Sequence, residues 1–428
     1  MDTVYPSQQD LESRQLALVK ALLKEVCASN PFYQAKLSGL STDFDAIASF
    51  QSSIPFTTKR EWVADQEAHP PYGTNLTYPR GRYTRCHQTS GTSGKPMRWL
   101  DTPSSWDFVL DDWIEVMRAA GLHQEDRFFF AFSFGPFLGF WAAFEAALKL
   151  GSFSLSGGGM TTETRLQALV KNEITVLACT PTYAIRMGEA AKEFGLDVNA
   201  LPLRCILVAG EPGGSLPSVR ERLKTLWPTA TVFDHHGMTE TGPVSFQCPA
   251  KPGTLHINDL SYLAEVLDRE TDQPVPFGAK GELVLTTLRR TGSPLIRYRT
   301  GDLVELAEPG SCGCGRSHTA LTGGIIGRVD DMVVVRGVNV YPSAVDEIVR
   351  RTGGVVEYQV ERTEKQSLAE LTLRIEVARE EPEPESVRER LARALQQSLA
   401  LRIPVEIVPS DSLPRFEMKA KRWIRSSG

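Results

Sequence analysis

Gln88-Thr89-Ser90-Gly91-Thr92-Ser93-Gly94-Lys95-Pro96 packs hydroxyls, two glycines and a lysine into one short stretch. Glycine lets a backbone approach a ligand and adopt positive φ. Successive N–H groups in such a turn form a nest for an anion. The spacing is not that of a G-x-x-x-x-G-K-[ST] loop. Alone, the stretch reads equally well as a flexible turn. Further along, Val208-Ala209-Gly210-Glu211-Pro212 ends a strand in Gly and Pro, where a parallel sheet presents its ligand crevice. Asp234-His235-His236-Gly237-Met238-Thr239-Glu240-Thr241-Gly242 sets a hydroxyl and a carboxylate between glycines. Those groups suit a phosphate and a magnesium ion, which takes hard oxygen ligands. Arg297-Tyr298-Arg299-Thr300-Gly301-Asp302 ends a strand in a carboxylate suited to vicinal ribose hydroxyls. Two further segments follow, Gly327 to Gly337 at the domain boundary and Pro414 to Arg422 near the C-terminus. Each motif has a plain reading: Arg297 and Arg299 as surface ion pairs of little worth, Lys419 and Lys421 as a solvated tail, Thr239-Glu240 as an ordinary turn. Their ordered company points to a nucleotide site.

A second constellation consists of Cys248, His256, Cys312 and Cys314. Cys312-Gly313-Cys314 is a tight thiol pair with glycines that let the backbone fold around a metal. Cys248 and His256 complete the Cys₃His composition of a closed structural zinc site. His318 and Asp259 compete as ligands, and three unrelated thiols beside a loop histidine is the plain alternative.

These residues need a scaffold. The 428-residue chain is long enough for two or three domains. Its 41% hydrophobic and 23% charged content is that of a globular protein, and a net charge of −5 gives no electrostatic reason for nucleic acid or an anionic membrane as partner. The apolar runs Phe128 to Phe134 and Phe137 to Ala147 are shorter than the roughly 20 residues that span a bilayer. The first residues lack a basic-then-apolar leader, and seven cysteines suit a reducing compartment, so a cytoplasmic location is expected. Short apolar strands at Arg127 to Phe132, Ser152 to Leu155, Thr175 to Cys179 and Cys205 to Ala209 alternate with helical stretches. That is the pattern of a parallel sheet covered on both faces. From about Leu263 to Val304 the chain reads as a smaller β-rich unit appended to this body. After a boundary near Gly327 to Asp331, strands and two helices make a compact α+β unit. The expected fold is therefore α/β, with a large domain over 1–328 and a small one over 329–428.

The motifs resemble, over Asn30 to Ile424, the adenylate-forming superfamily of acyl-CoA synthetases, adenylation domains and luciferases, in its phenylacetate-CoA ligase branch. The match is carried by the loop 88–96, Ser156-Gly157-Gly158-Gly159-Met160-Thr161, Thr180-Pro181-Thr182-Tyr183, Ala209-Gly210-Glu211 and Arg297 to Asp302. Gly327-Arg328-Val329-Asp330-Asp331-Met332 and Arg336-Gly337-Val338-Asn339-Val340-Tyr341-Pro342 complete it. The resemblance implies ATP, Mg²⁺ and coenzyme A. Ser90, Thr92, Ser93 and Lys95 would hold the phosphates, Thr239 the α-phosphate and Glu240 magnesium. Ala209, Gly210, Glu211, His235, His236 and Gly237 would line the nucleotide, Asp302 its ribose, and Arg328 its ribose or phosphate. Asp330 would be the hinge of a mobile C-terminal lid, Arg336 and Gly337 the coenzyme A tunnel, and Lys419 the lysine that assists adenylation. Two departures stand out: His236 replaces a usual tyrosine, and Glu417-Met418 precede Lys419 where a glycine is usual. Lys419 is preferred over Lys421 on the strength of Ala420 and Arg422.

Phe132, Phe134, Gly135, Phe137, Gly139 and Phe140 lie where the family places its acid-binding wall, with at least half of the rings expected in the core. The remainder would favour a planar ring, giving phenylacetate, benzoate, or a hydroxy- or aminobenzoate as the acid. The alternatives are an enzyme that loads a carrier-protein phosphopantetheine or an amine, and a decayed nucleotide-binding scaffold. Glu240, Asp302, Arg328 and Lys419 together argue against decay. A homodimer is compatible with these features.

Overall fold

The computed structural model describes residues 5–89, 96–211, 213–329, 331–335, 338–365, 368–379, 381–416 and 420–426. The chain opens with helices α1 (Gln8–Ser29), α2 (Pro31–Lys36), α3 (Ile47–Ser53) and α4 (Lys59–Ala68). A hairpin of β1 (Arg85–Gln88) and β2 (Arg98–Asp101) brackets the Ser/Thr/Gly segment. Then α5 (Pro103–Ala119), β3 (Arg127–Phe130), α6 (Leu138–Leu150), β4 (Phe153–Ser156), α7 (Thr162–Lys171), β5 (Val176–Cys179), α8 (Pro181–Glu193), β6 (Cys205–Val208), α9 (Pro217–Leu226) and β7 (Thr231–Met238) alternate. Helices α5 and α8 start at Thr-Pro, the threonine capping the N-terminus and the proline filling the first helical position.

The strands β4, β3, β5, β6 and β7 are neighbours and mutually parallel. Their side chains alternate between two apolar cores. Phe128, Phe130, Val176, Ala178, Cys205, Leu207 and Phe233 meet α5 and α6, whereas Phe129, Leu177, Ile206, Val208 and Val232 meet α7, α8 and α9. Period-two alternation with both faces apolar is what a covered parallel sheet requires. Each buried phenylalanine there contributes about 1.5–3 kcal/mol.

The β-rich region comprises β8 (Gly242–Gln247), β9 (Thr254–Ile257), β10 (Tyr262–Leu267), β11 (Lys280–Thr287), β12 (Tyr298–Leu306) and β13 (Ala320–Arg328). It is not an appended unit. Asp234 and its predecessors in β7 pair parallel with β6, and His235 onward pairs antiparallel with β8, so a single 11-stranded sheet runs through both regions. One long strand thus serves two sheet types, which composition cannot announce.

Beyond β13 a separate core begins at Val333. It contains β14 (Val333–Val335), β15 (Val338–Val340), α10 (Pro342–Thr352), β16 (Val355–Lys365), β17 (Leu368–Val377), α11 (Pro384–Leu399), β18 (Val405–Ile407) and β19 (Trp423–Arg425). The last strand pairs parallel with β16, returning the chain end to the small sheet. Among the described residues no helix is long and apolar enough to cross a membrane.

Candidate active site

Because the five strands are parallel, their carboxyl ends share one edge, the usual position of a ligand crevice. Four sequence motifs converge there: Ser156–Gly159 after β4, Thr180–Tyr183 after β5, Ala209–Glu211 after β6, and His235–Glu240 along and after β7. Gly210 has φ +93°, a left-handed conformation that turns the chain sharply after β6. Glu211 then reaches back, its Oε1 accepting from the Thr182 backbone N–H at 2.9 Å in the first turn of α8. At Gly237 an added Cβ would stand 2.6 Å from the Gly242 carbonyl oxygen, so only glycine fits this irregular β7–β8 pairing.

Across the crevice, Asp302 is gripped from two sides. Its carboxylate meets His236 Nε2 at 3.1 Å and accepts from Arg328 Nη1 at 3.1 Å. The histidine that replaces a tyrosine therefore engages the ribose candidate by a hydrogen bond. His235 differs. Alternation along β7 sends it toward α5, where it lies 4.2 Å from the Trp113 ring and 2.7 Å from the Ser245 carbonyl. That carbonyl can only accept, so Nδ1 carries the proton, and burial pushes the imidazole pKa down to about 3. His235 is a neutral core residue, which corrects its expected grouping with the nucleotide-facing side chains.

The Thr239-Glu240 turn is held by groups that sequence reading missed. Tyr298 donates to Glu240 Oε1 at 3.1 Å. Arg290 Nη1 donates to the Thr239 and Glu240 carbonyls at 3.0 and 2.8 Å. Its Nε and Nη2 form a buried fork on Asp101 at 2.7 and 2.6 Å. Asp101 ends β2, so one arginine joins the hairpin around the Ser/Thr/Gly segment to the acidic turn. That partner lies 189 positions away along the chain, and no local signal marks it. The same hairpin meets the aromatic loop, because Gln88 N–H donates to the Pro136 carbonyl at 2.7 Å. In that loop Phe132 joins the α5–α6 core and stacks on Phe140 at 4.2 Å. Phe134, Phe137 and Phe140 are half-buried, Phe137 meets Phe140 edge-on, and Gly139 is exposed. Trp141, also missed, donates to the Gly135 carbonyl at 3.1 Å and remains 38% exposed beside Phe134.

A sequence profile of the AMP-binding enzymes matches residues 88–288, and one of the AMP-binding enzyme C-terminal domain matches 337–426. Phenylacetate-coenzyme A ligase of Thermus thermophilus is 30% identical over 96% of this chain and 95% of its own length. The chain belongs to the AMP-binding enzymes, in the phenylacetate-coenzyme A ligase branch. It is an AMP-forming acid–CoA ligase that works through an acyl-adenylate. The phenylacetate-coenzyme A ligase of Escherichia coli K12 is 28% identical over 97% of this chain and 95% of its own. Among solved structures, 2-hydroxyisobutyryl-CoA ligase in its postadenylation state superimposes with a TM-score of 0.93, at 27% identity over 99% of this chain and 93% of that one. The same enzyme in its thioesterification state, with CoA, gives 0.74 at 27% identity over 99% and 91%. The small domain of this ligase is thus placed as in the postadenylation state.

That placement is held by direct contacts. Ser218 on α9 donates to Glu347 on α10 at 2.5 Å, Ser343 donates to the Ile326 carbonyl, and Ala420 N–H donates to Glu211 Oε2 at 3.0 Å. Of the expected site residues, Ser90, Thr92, Ser93, Lys95, Asp330, Arg336, Gly337 and Lys419 lie outside the described residues.

In this ligase the ligating atoms of Cys248, His256, Cys312 and Cys314 all lie within 4.8 Å of one another. The Cys312 and Cys314 sulfurs are 3.2 Å apart and sit 3.5 and 3.3 Å from His256 Nε2. A zinc tetrahedron with bonds of about 2.3 Å has edges of roughly 3.8 Å, so the donor set fits. Burial pushes His256 down to about 4, leaving a neutral imidazole to ligate. Burial raises Cys314, but hydrogen bonds from the Arg316 backbone, Cys312 and Cys248 outweigh it and bring the thiol below its ordinary value. Asp259 is used elsewhere, accepting from Thr319 N–H at 2.5 Å. The His318 ring centroid lies 6.4 Å from that of His256, outside the set.

Proposed function

We propose that this ligase activates an aromatic acid of the phenylacetate or benzoate type and transfers it to coenzyme A. The observation that carries this reading is the half-buried wall of Phe134, Phe137 and Phe140, tied by Gln88 and Pro136 to the phosphate-side hairpin. Aromatic walls favour flat rings through offset or edge contacts. In this reading Thr239 and the Ser/Thr/Gly segment orient the ATP phosphates, Asp302 takes the ribose hydroxyls, and Arg328 approaches the ribose or phosphate. The Ala209–Glu211 turn lines the adenine. Magnesium, held by Glu240, would neutralise phosphate charge. The acid's carboxylate attacks the α-phosphorus with Lys419 beside it, and pyrophosphate leaves. The small domain then turns about Asp330, bringing Arg336 and Gly337 toward the CoA thiol, which displaces AMP.

The test is acid-dependent ATP–pyrophosphate exchange across phenylacetate, benzoate, aminobenzoates and 2-hydroxyisobutyrate, with CoA and a phosphopantetheinyl carrier as acceptors. An aryl acid should give the highest kcat/KM, with CoA as acceptor. A preference for the hydroxy acid would end the aromatic reading.

The Cys₃His cluster is proposed to hold a structural zinc that staples the loop between β12 and β13 to β8 and β9. With all four positions filled by protein, the ion would have no open site for chemistry. Purified enzyme should contain about one zinc per chain. Cys312→Ser should release it and lower the melting temperature, and a metal-free wild type of equal stability would refute the site.

A further inference from the structure

We infer that Glu211 is a positioning residue that locks the small domain in the adenylating orientation, a role that rests on the two-step reading above. Its two carboxylate oxygens are divided between domains. Oε1 accepts from Thr182 N–H at 2.9 Å, where the N-terminus of α8 favours an anion. Oε2 accepts from Ala420 N–H at 3.0 Å, across 209 positions of sequence. Ala420 directly follows Lys419 in sequence, so the bond fixes the backbone amide one residue beyond the lysine. The Ser218–Glu347 and Ser343–Ile326 contacts join the domains through α10, whereas the Glu211 bond reaches the residue that follows Lys419 in sequence. Turning the small domain must break the Glu211–Ala420 bond while sparing the Thr182 one. The carboxylate therefore remains in place to receive Ala420 again on the next cycle.

The two half-reactions separate this role from adenine binding. Glutamine has the same length but one acceptor oxygen, and its NH₂ would confront an N–H donor. In full-length Glu211→Gln, hydrogen exchange of the peptide carrying the Ala420 amide, measured with ATP bound, should quicken by roughly ten- to a hundredfold. The adenylation kcat should fall by a similar factor, and thioester formation from supplied acyl-adenylate, which follows the domain turn, should fall by much less. Glu211→Asp, too short to span both donors, should behave likewise, and circular dichroism checks that both variants fold. Unchanged amide exchange overturns the inference. So does a raised KM for ATP with equal loss of both half-reactions, the result that an adenine contact alone would give. If the wild type exchanges pyrophosphate with no acid, the proposed function fails, whereas the amide exchange still decides the lock.

Discussion

The Lys419→Ala variant should lose acid-dependent pyrophosphate exchange by roughly 100- to 1,000-fold, the usual effect of removing one preorganised charge from a developing oxyanion. A compact ammonium is suited to this task because it can face several oxygens at once. Its reach depends on the small domain, whose Ala420 amide is bound to Glu211. In the proposed second half-reaction the domain would have turned and withdrawn the lysine. A supplied acyl-adenylate should therefore still be converted to thioester at close to the wild-type rate. Comparable loss in both half-reactions would show that Lys419 is not the adenylating lysine, and Lys421 would be tested next.

The second large effect is expected at Arg290. It and Asp101 are buried, and the arginine also supports two carbonyls of the Thr239-Glu240 turn. Arg290→Met leaves Asp101 as an uncompensated buried charge, which should destabilise the large domain by about 3–5 kcal/mol. Adding Asp101→Leu removes that charge, and replacing a buried pair by apolar groups is often neutral. The double variant should thus melt near the wild type. Its KM for Mg-ATP should nevertheless rise, because the acidic turn and the phosphate-side hairpin no longer share an anchor. Full recovery of KM in the double variant would reduce the pair to a purely structural role.

The parallel half of the sheet was readable because β3, β5 and β6 are short apolar runs between strongly periodic helices. The motifs were readable because Gly, Thr, Glu and Asp at strand ends announce themselves locally. The Cys-x-Cys pair pointed toward His256 for a similar reason. What escaped notice depends on partners distant in sequence. Arg290 looks like one of two adjacent arginines in a turn until Asp101 is beside it. Strand β16 reads Val-Val-Glu-Tyr-Gln-Val-Glu-Arg-Thr-Glu-Lys, a charged sequence that becomes a strand through pairing with β17 and β19. His235 and His236 are chemically identical, and only the pleat of β7 separates the one packed on Trp113 from the one that meets Asp302.

That pleat has an evolutionary consequence. Strand β7 is hydrogen-bonded on two sides, to β6 and to β8, with Gly237 wedged against β8 backbone. A one-residue insertion or deletion within it would exchange the faces of His235 and His236, burying the partner of Asp302 and exposing the partner of Trp113. Strand β7 is therefore closed to change in chain length. The loops after β3 and β4 carry no such double constraint. With the acid bound at this wall as proposed, new specificities would arise there by lengthening or shortening it while β7 stays in register.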